Sequence, residues 1–186
     1  MIRAFIAIPL AKKAKEKVST IIETLAPLSN NIKWANDSQM HITVKFLGNI
    51  DDDTINRTKR AMDTLKVLPV FKIELFGIGG FPSISNPRVL WIGITRPGHF
   101  NSILEQLAFH LQDINYEKRA FAAHLTIGRV NGIIDKQVLA KAKELCDSKI
   151  IANSIADRVI LFRSTLKPAG AIHTQLYAVN LYREAL

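Results

Sequence analysis

Two short segments constrain this chain more than any other feature: His41-Ile42-Thr43-Val44 and His124-Leu125-Thr126-Ile127. Each is a His-apolar-Thr-apolar tetrad opening an apolar run. Side chains two apart in a β-strand share a face. His41 and Thr43 therefore point one way and Ile42 and Val44 the other, and the second tetrad repeats the pattern. After each tetrad the chain reads strand, helix, strand, loop, strand. Tetrads, helices and strand pairs recur at offsets of roughly 83–85 residues. This order predicts a degenerate internal duplication, two lobes related by a pseudo-twofold, each supplying one tetrad. Two copies are too few for a solenoid. Helices mixed with adjacent strand pairs indicate an α+β fold with duplicated antiparallel sheets and helices packed outside, rather than a doubly wound sheet. No linker separates the halves, so residues 1–186 are expected to form a single two-lobed domain.

The remaining elements follow from periodicity and punctuation. A first strand is expected over about 2–8. A helix follows over Ala11–Leu28, where Ala14, Val18, Ile21, Ile22 and Leu25 keep helical spacing and Pro27 marks the end. Ile32–Trp34 is a short extended piece. The first tetrad strand runs His41–Leu47 and stops at Gly48. Asp51-Asp52-Asp53 then places negative charge at a helix start, where the macrodipole favours it, and Ile55, Met62 and Leu65 form that helix's apolar stripe. Strands over Val70–Phe76 and Val89–Thr95 flank a Gly/Pro/Ser/Asn-rich loop, Gly77–Pro87. In the second half come a helix over Phe100–Ile114, the tetrad strand His124–Val130, a helix from Asp135 through Cys146, and strands over Ser154–Phe162 and His173–Leu181.

Nearly half the residues are hydrophobic (48%) and 22% are charged, a globular composition. No apolar run is long enough to span a bilayer. The short N-terminal run Phe5-Ile6-Ala7-Ile8 reads as a strand rather than a signal peptide, so a cytoplasmic location, no membrane and a monomer are expected. The lone Cys146 allows no internal disulfide and sits on an apolar helix side, a core position. Lys and Arg outnumber Asp and Glu by 25 to 16, a formal charge of +9. A basic surface attracts polyanions without identifying one.

Two imidazoles on facing strands suit acid–base chemistry on a phosphodiester. The unperturbed imidazole pKa of about 6.5 lets one ring act as base while another acts as acid. Each such proton transfer is typically worth ~10²–10⁴ in rate. The Thr43 and Thr126 hydroxyls can donate to nonbridging phosphate oxygens, and their β-branched side chains are stiff at χ1. A single His in an apolar strand is more often structural; the paired placement carries the functional reading. Metal binding is disfavoured because no Cys or carboxylate lies near either tetrad on its face. His99, His110 and His173 are scattered along the chain. Lys45 falls on the face of His41 and Thr43 by strict alternation. Arg129 falls on the face opposite His124, and reaches the site only if the strand bulges or its side chain wraps an edge. Arg88 and Arg163 occupy similar places in the two repeats. Trp34, Phe46, Phe81 and Trp91 can stack on a base, with the core the expected place for Phe46 and Trp91.

With these residues the chain resembles the two-histidine phosphoesterase superfamily. It is most similar to the RNA 2′,3′-cyclic phosphodiesterases, also called 2′-5′ RNA ligase-like proteins. The likeness is carried by Arg3-Ala4-Phe5-Ile6-Ala7-Ile8, Trp34, both tetrads with Lys45-Phe46-Leu47-Gly48 and Gly128-Arg129, Gly80-Phe81-Pro82, Pro87-Arg88-Val89-Leu90-Trp91, Arg163-Ser164-Thr165-Leu166 and Gly170-Ala171. The resemblance implies a bilobal fold with both tetrads lining a central groove, no metal and no cofactor. It also implies hydrolysis of an RNA 2′,3′-cyclic phosphate end to a 2′-phosphomonoester. His41 would protonate the leaving 3′ oxygen and His124 would activate water. Thr43, Thr126, Lys45 and Arg129 would bind substrate. His173 departs from the family, which more often has Tyr there. Alternatives are a 2′-5′ oligonucleotide phosphodiesterase or RNA ligase, an enzyme acting on a cyclic ADP-ribose phosphate, and a non-catalytic basic RNA-binding module.

Overall fold

The computed structural model describes residues 1–112, 121–167 and 170–183. In chain order the strands are β1 (Ile2–Pro9), β2 (Ile32–Trp34), β3 (His41–Ile50), β4 (Phe71–Phe81), β5 (Val89–Thr95), β6 (His124–Val130), β7 (Ala152–Ala156), β8 (Arg158–Lys167) and β9 (Gly170–Asn180). The helices are α1 (Lys12–Leu25), α2 (Asp52–Asp63), α3 (His99–His110) and α4 (Lys136–Cys146).

The helices start and stop for local reasons. Asp51 caps α2 by accepting from the Thr54 N–H at 2.9 Å, and Asp135 caps α4 by accepting from Gln137 N–H at 3.0 Å. The hydrogen bond to Thr54 holds the Asp51 carboxyl below its ordinary pKa. The first helix is shorter than its periodicity predicts. Ala26–Leu28 tightens into a 3₁₀ turn at Pro27, whose missing N–H cannot continue the α ladder. Helix α3 ends at His110, and residues 113–114 of the expected helix lie outside the described residues.

All strand pairs in the sheet are antiparallel. Their order is β7-β4-β5-β6-β3-β1-β8-β9, with β2 added on β6. The duplicated sheets are thus two four-stranded halves of one curled sheet. They join between β3 and β6, where Ile42 pairs with Leu125. About that joint the order is symmetric: β6 answers β3, β5 answers β1 and β4 answers β8. The repeating unit therefore begins one strand before each tetrad, at β1 and β5, rather than at the tetrad strand itself.

One apolar cluster gathers Val18, Met62, Leu107 and Val138 from the four helices with Ile6, Ile42, Val44, Ile92, Leu125 and Ile127 from the strands. Burying one stripe of each helix on one sheet face is the arrangement that satisfies both patterns. The strand residues that alternate with these turn to the inner face, and the tetrad histidines and threonines are among them.

Three expected boundaries shift, each through a bulge or a break. Gly48, at φ +72°, does not end β3; the strand continues to Ile50 across a register slip between Ala4 and Phe5 on β1. Gly77, Gly79 and Gly80 belong to β4 rather than to a loop. Gly77 (φ +76°) is a bulge, and the freed N–H of Ile78 donates to Asp147 Oδ1 at 2.8 Å. A Cβ on Gly79 would overlap the Trp91 ring opposite it. The expected strand Ser154–Phe162 is two strands broken at Asp157: β7 pairs with β4 in one half, and β8 crosses to β1 in the other.

Candidate active site

The single Ile42–Leu125 pairing fixes the site. Both residues are fully buried on the helix side. Their neighbours in each strand must therefore turn to the inner face, which brings His41, Thr43, His124 and Thr126 together where the two halves meet. All four are half-buried. His124 is close enough for its charge to act on His41.

Each histidine sits in its own aromatic setting. The His41 ring stacks on Phe5 at 4.9 Å and 27°, lies 6.0 Å from Phe162, and meets His173 edge to face at 5.2 Å and 88°. The His124 ring meets Phe81 edge-on at 5.0 Å, and Trp91 stands 6.0 Å away. Burial, then the facing charges of His173, Lys15 and His124, push His41 down to about 3. Burial also lowers His124, against a smaller opposing effect of its hydrogen bond to Ala122. That hydrogen bond, 2.6 Å from Nδ1 to the Ala122 carbonyl, fixes the neutral tautomer. A carbonyl can only accept, so Nδ1 carries the proton and Nε2 keeps a lone pair.

The flanking cations exchange places relative to simple alternation, because both tetrad strands bulge just after the threonine. On β3 the register passes from Ala7–Thr43 to Ile6–Lys45 and Phe5–Phe46. Lys45 thus opposes Ile6, a residue of the apolar helix side, and does not share the face of His41. Phe46 takes the inner face, 6.1 Å from Phe5 and 47% exposed, and not the core position expected of it. On β6 the pairs are Trp91–Thr126, Leu90–Gly128 and Val89–Arg129. The same slip returns the exposed Arg129 to the face of Thr126 and His124.

The other expected groups divide between the site and the rest of the molecule. Trp34 is partly buried and packs against the core opposite Gly128, where a Cβ would press on its ring. Trp91 is half-buried beside Phe81, which is 36% exposed. Arg163 opposes Ala4 of the helix-side core, whereas Arg88 lies in the loop before β5, so their positions are not equivalent. His99 stacks on Phe71, away from both tetrads. Residue spacing leaves His173 among the scattered histidines, and the resemblance marks it only as a departure from the family's Tyr. Only the pairings of β9 with β8, of β8 with β1 and of β1 with β3 carry it to His41. Among the described residues no three His, Cys, Asp or Glu side chains gather as a metal-ligand set. Among them, too, no helix is long and apolar enough to cross a membrane.

Two histidines and two threonines converging on the inner face of a symmetric antiparallel sheet define a two-histidine phosphoesterase arrangement. A family model described as LigT like Phosphoesterase matches residues 8–91. The chain belongs to this LigT-like phosphoesterase family. It is 30% identical over 182 residues to the RNA 2′,3′-cyclic phosphodiesterase of Methanothermobacter thermautotrophicus, covering 97% of this chain and 99% of that protein. It is 32% identical over 177 residues to the protein of the same name from Thermotoga maritima, covering 94% and 93% respectively. The fold is shared with the crystal structure of TT0787 of Thermus thermophilus (TM-score 0.81, 21% identity, 99% of this chain and 100% of that one). It is shared too with E. coli LigT complexed with 3′-AMP (TM-score 0.80, 17% identity, 98% and 99%).

Proposed function

We propose that this protein hydrolyses the 2′,3′-cyclic phosphate at the end of an RNA to a 2′-phosphomonoester, using His41 and His124 as its acid–base pair without a metal. The observation that carries the reading is the Ile42–Leu125 joint, which sets both tetrads on one face. The relatives named RNA 2′,3′-cyclic phosphodiesterase over nearly the whole chain support it.

His124 Nε2, left with its lone pair by the Ala122 hydrogen bond, takes a proton from water as the water oxygen attacks phosphorus. The P–O3′ bond breaks and His41 protonates the departing 3′ oxygen. His41 is neutral in the free protein, held down to about 3. The anionic phosphate offsets the penalty of charging it, so His41 takes up a proton from solvent as the substrate binds. Thr43 and Thr126 donate to the nonbridging oxygens, where charge grows in the transition state. Arg129 binds the phosphate or the adjoining backbone from the same face. The net charge of +9 speeds encounter with RNA.

The test is turnover of an oligoribonucleotide ending in a 2′,3′-cyclic phosphate, with and without EDTA. Activity is expected to survive EDTA. His41→Ala and His124→Ala are each expected to lower kcat/KM by at least about 10²-fold, with an unchanged circular dichroism spectrum. Full activity in either variant overturns the assignment.

A further inference from the structure

We propose that His173 is a positioning residue for His41, the two rings forming one coupled pair that accepts a single proton. The proposal rests on reading His41 as a proton-transfer group.

His173 reaches this place through a register slip. The β8–β9 pairing shifts between Leu161 and Phe162, so that Gln175 opposes Phe162 and His173 opposes Ser164. Phe162 opposes Phe5 in turn. His173 therefore stands on the inner face, edge-on to Phe5 at 5.0 Å and to His41 at 5.2 Å, with Phe162 6.4 Å away. Two edge-to-face contacts hold the ring, and through it the His41 ring against Phe5.

The chemistry of this cluster disfavours two charges. Phe5 on β1 and Phe162 on β8 are apolar. Two other ionisable groups face His41: Lys15 on α1 and His124 on β6. The Lys15 ammonium is engaged by the Asp37 carbonyl at 2.9 Å and carboxylate at 3.4 Å. Among the described residues no carboxylate acts on either ring to balance a second proton. His173 Nδ1 is buried with no hydrogen-bond partner among the described residues. The neutral ring keeps its proton on Nε2, and charging it would bury an N–H with no acceptor. The pair thus resists a second proton. Burial lowers both rings, and His173 is the largest of the charges acting on His41.

The experiment is a ring-carbon NMR titration of the free protein in the wild type, His173→Gln and His41→Gln. Two unit charges 5.2 Å apart shift one another's midpoint by about half a unit to two units, depending on the effective dielectric. Removing His173 is expected to raise the His41 midpoint by an amount in that range. His41→Gln assigns the His41 signal by its loss. The limb of the kcat/KM profile that belongs to His41 moves up with it in His173→Gln. Absence of that rise overturns the proposal. If His173→Gln does not fold, His173→Asn takes its place in the same titration. The titration needs no turnover, so its failure is distinct from failure of the proposed reaction.

Discussion

At the scale of single residues, the site works by withholding charge. His41 has a folded-state pKa of about 3, well below its unfolded value. It is therefore neutral in both states above about pH 6.5, and its contribution to stability is complete there. As pH falls from there toward 3, the unfolded chain binds a proton that the folded one refuses, and stability is lost. Between pH 7 and pH 5 this one group is expected to cost about 2 kcal/mol of unfolding free energy. Urea denaturation at the two pH values should show that fall in the wild type, reduced by about this amount in His41→Gln. An equal fall in both proteins would mean that His41 titrates normally. The two histidines and two threonines were legible in the sequence because one period-2 pattern recurs at matching points of a repeat. His173 was not, because nothing local links the last strand to the third. Its nearness to His41 exists only through three successive strand pairings.

At the scale of elements, the bulges decide which cations serve the site. Alternation locates a strand's two faces only while the register holds, and one extra residue reverses every assignment beyond it. Both tetrad strands carry that extra residue directly after the threonine, at Val44 and at Ile127. Nothing in Val44-Lys45-Phe46 or Ile127-Gly128-Arg129 announces it, so Lys45 and Arg129 were legible as candidates but not as to face. The symmetry of the two bulges places Phe46 and Arg129 at equivalent positions, one exposed aromatic and one exposed cation on the inner face. Arg129→Ala is therefore expected to lower kcat/KM for a cyclic-phosphate RNA by about tenfold to a hundredfold, the loss of a charge-assisted hydrogen bond. Lys45→Ala is expected to change it by less than about threefold. Steady-state kinetics on the two variants checks the order; a larger loss for Lys45→Ala would show that the register argument misplaces the charge.

At the scale of the whole molecule, the two halves of the sheet are interlaced rather than consecutive. The half containing β3 and β1 takes its outer strands, β8 and β9, from the far end of the chain. The other half takes β2 on β6 from the segment between β1 and β3. Neither half can close its hydrogen-bonded ladder from a continuous stretch of sequence, and one apolar cluster runs beneath both. The sequence conveyed the duplication but not the interlacing, because Asp157 does not distinguish a short interruption from a crossing between halves. The consequence is thermodynamic. Halves that each need strands from both ends of the chain lose their ladders together, so unfolding is expected to be one cooperative transition. Calorimetry should give a van't Hoff enthalpy equal to the calorimetric one. Far-ultraviolet ellipticity and Trp fluorescence, reporting from Trp34 on β2 and Trp91 on β5, should change at the same midpoint. Ile42→Ala, at the joint, should lower that single midpoint with a cost of about 2–5 kcal/mol and leave the transition unsplit. Two resolved transitions would mean that the halves hold their folds separately. The geometry at Ile42 and Leu125 would then be a contact between independent bodies instead of the rigid centre that the two-histidine site requires.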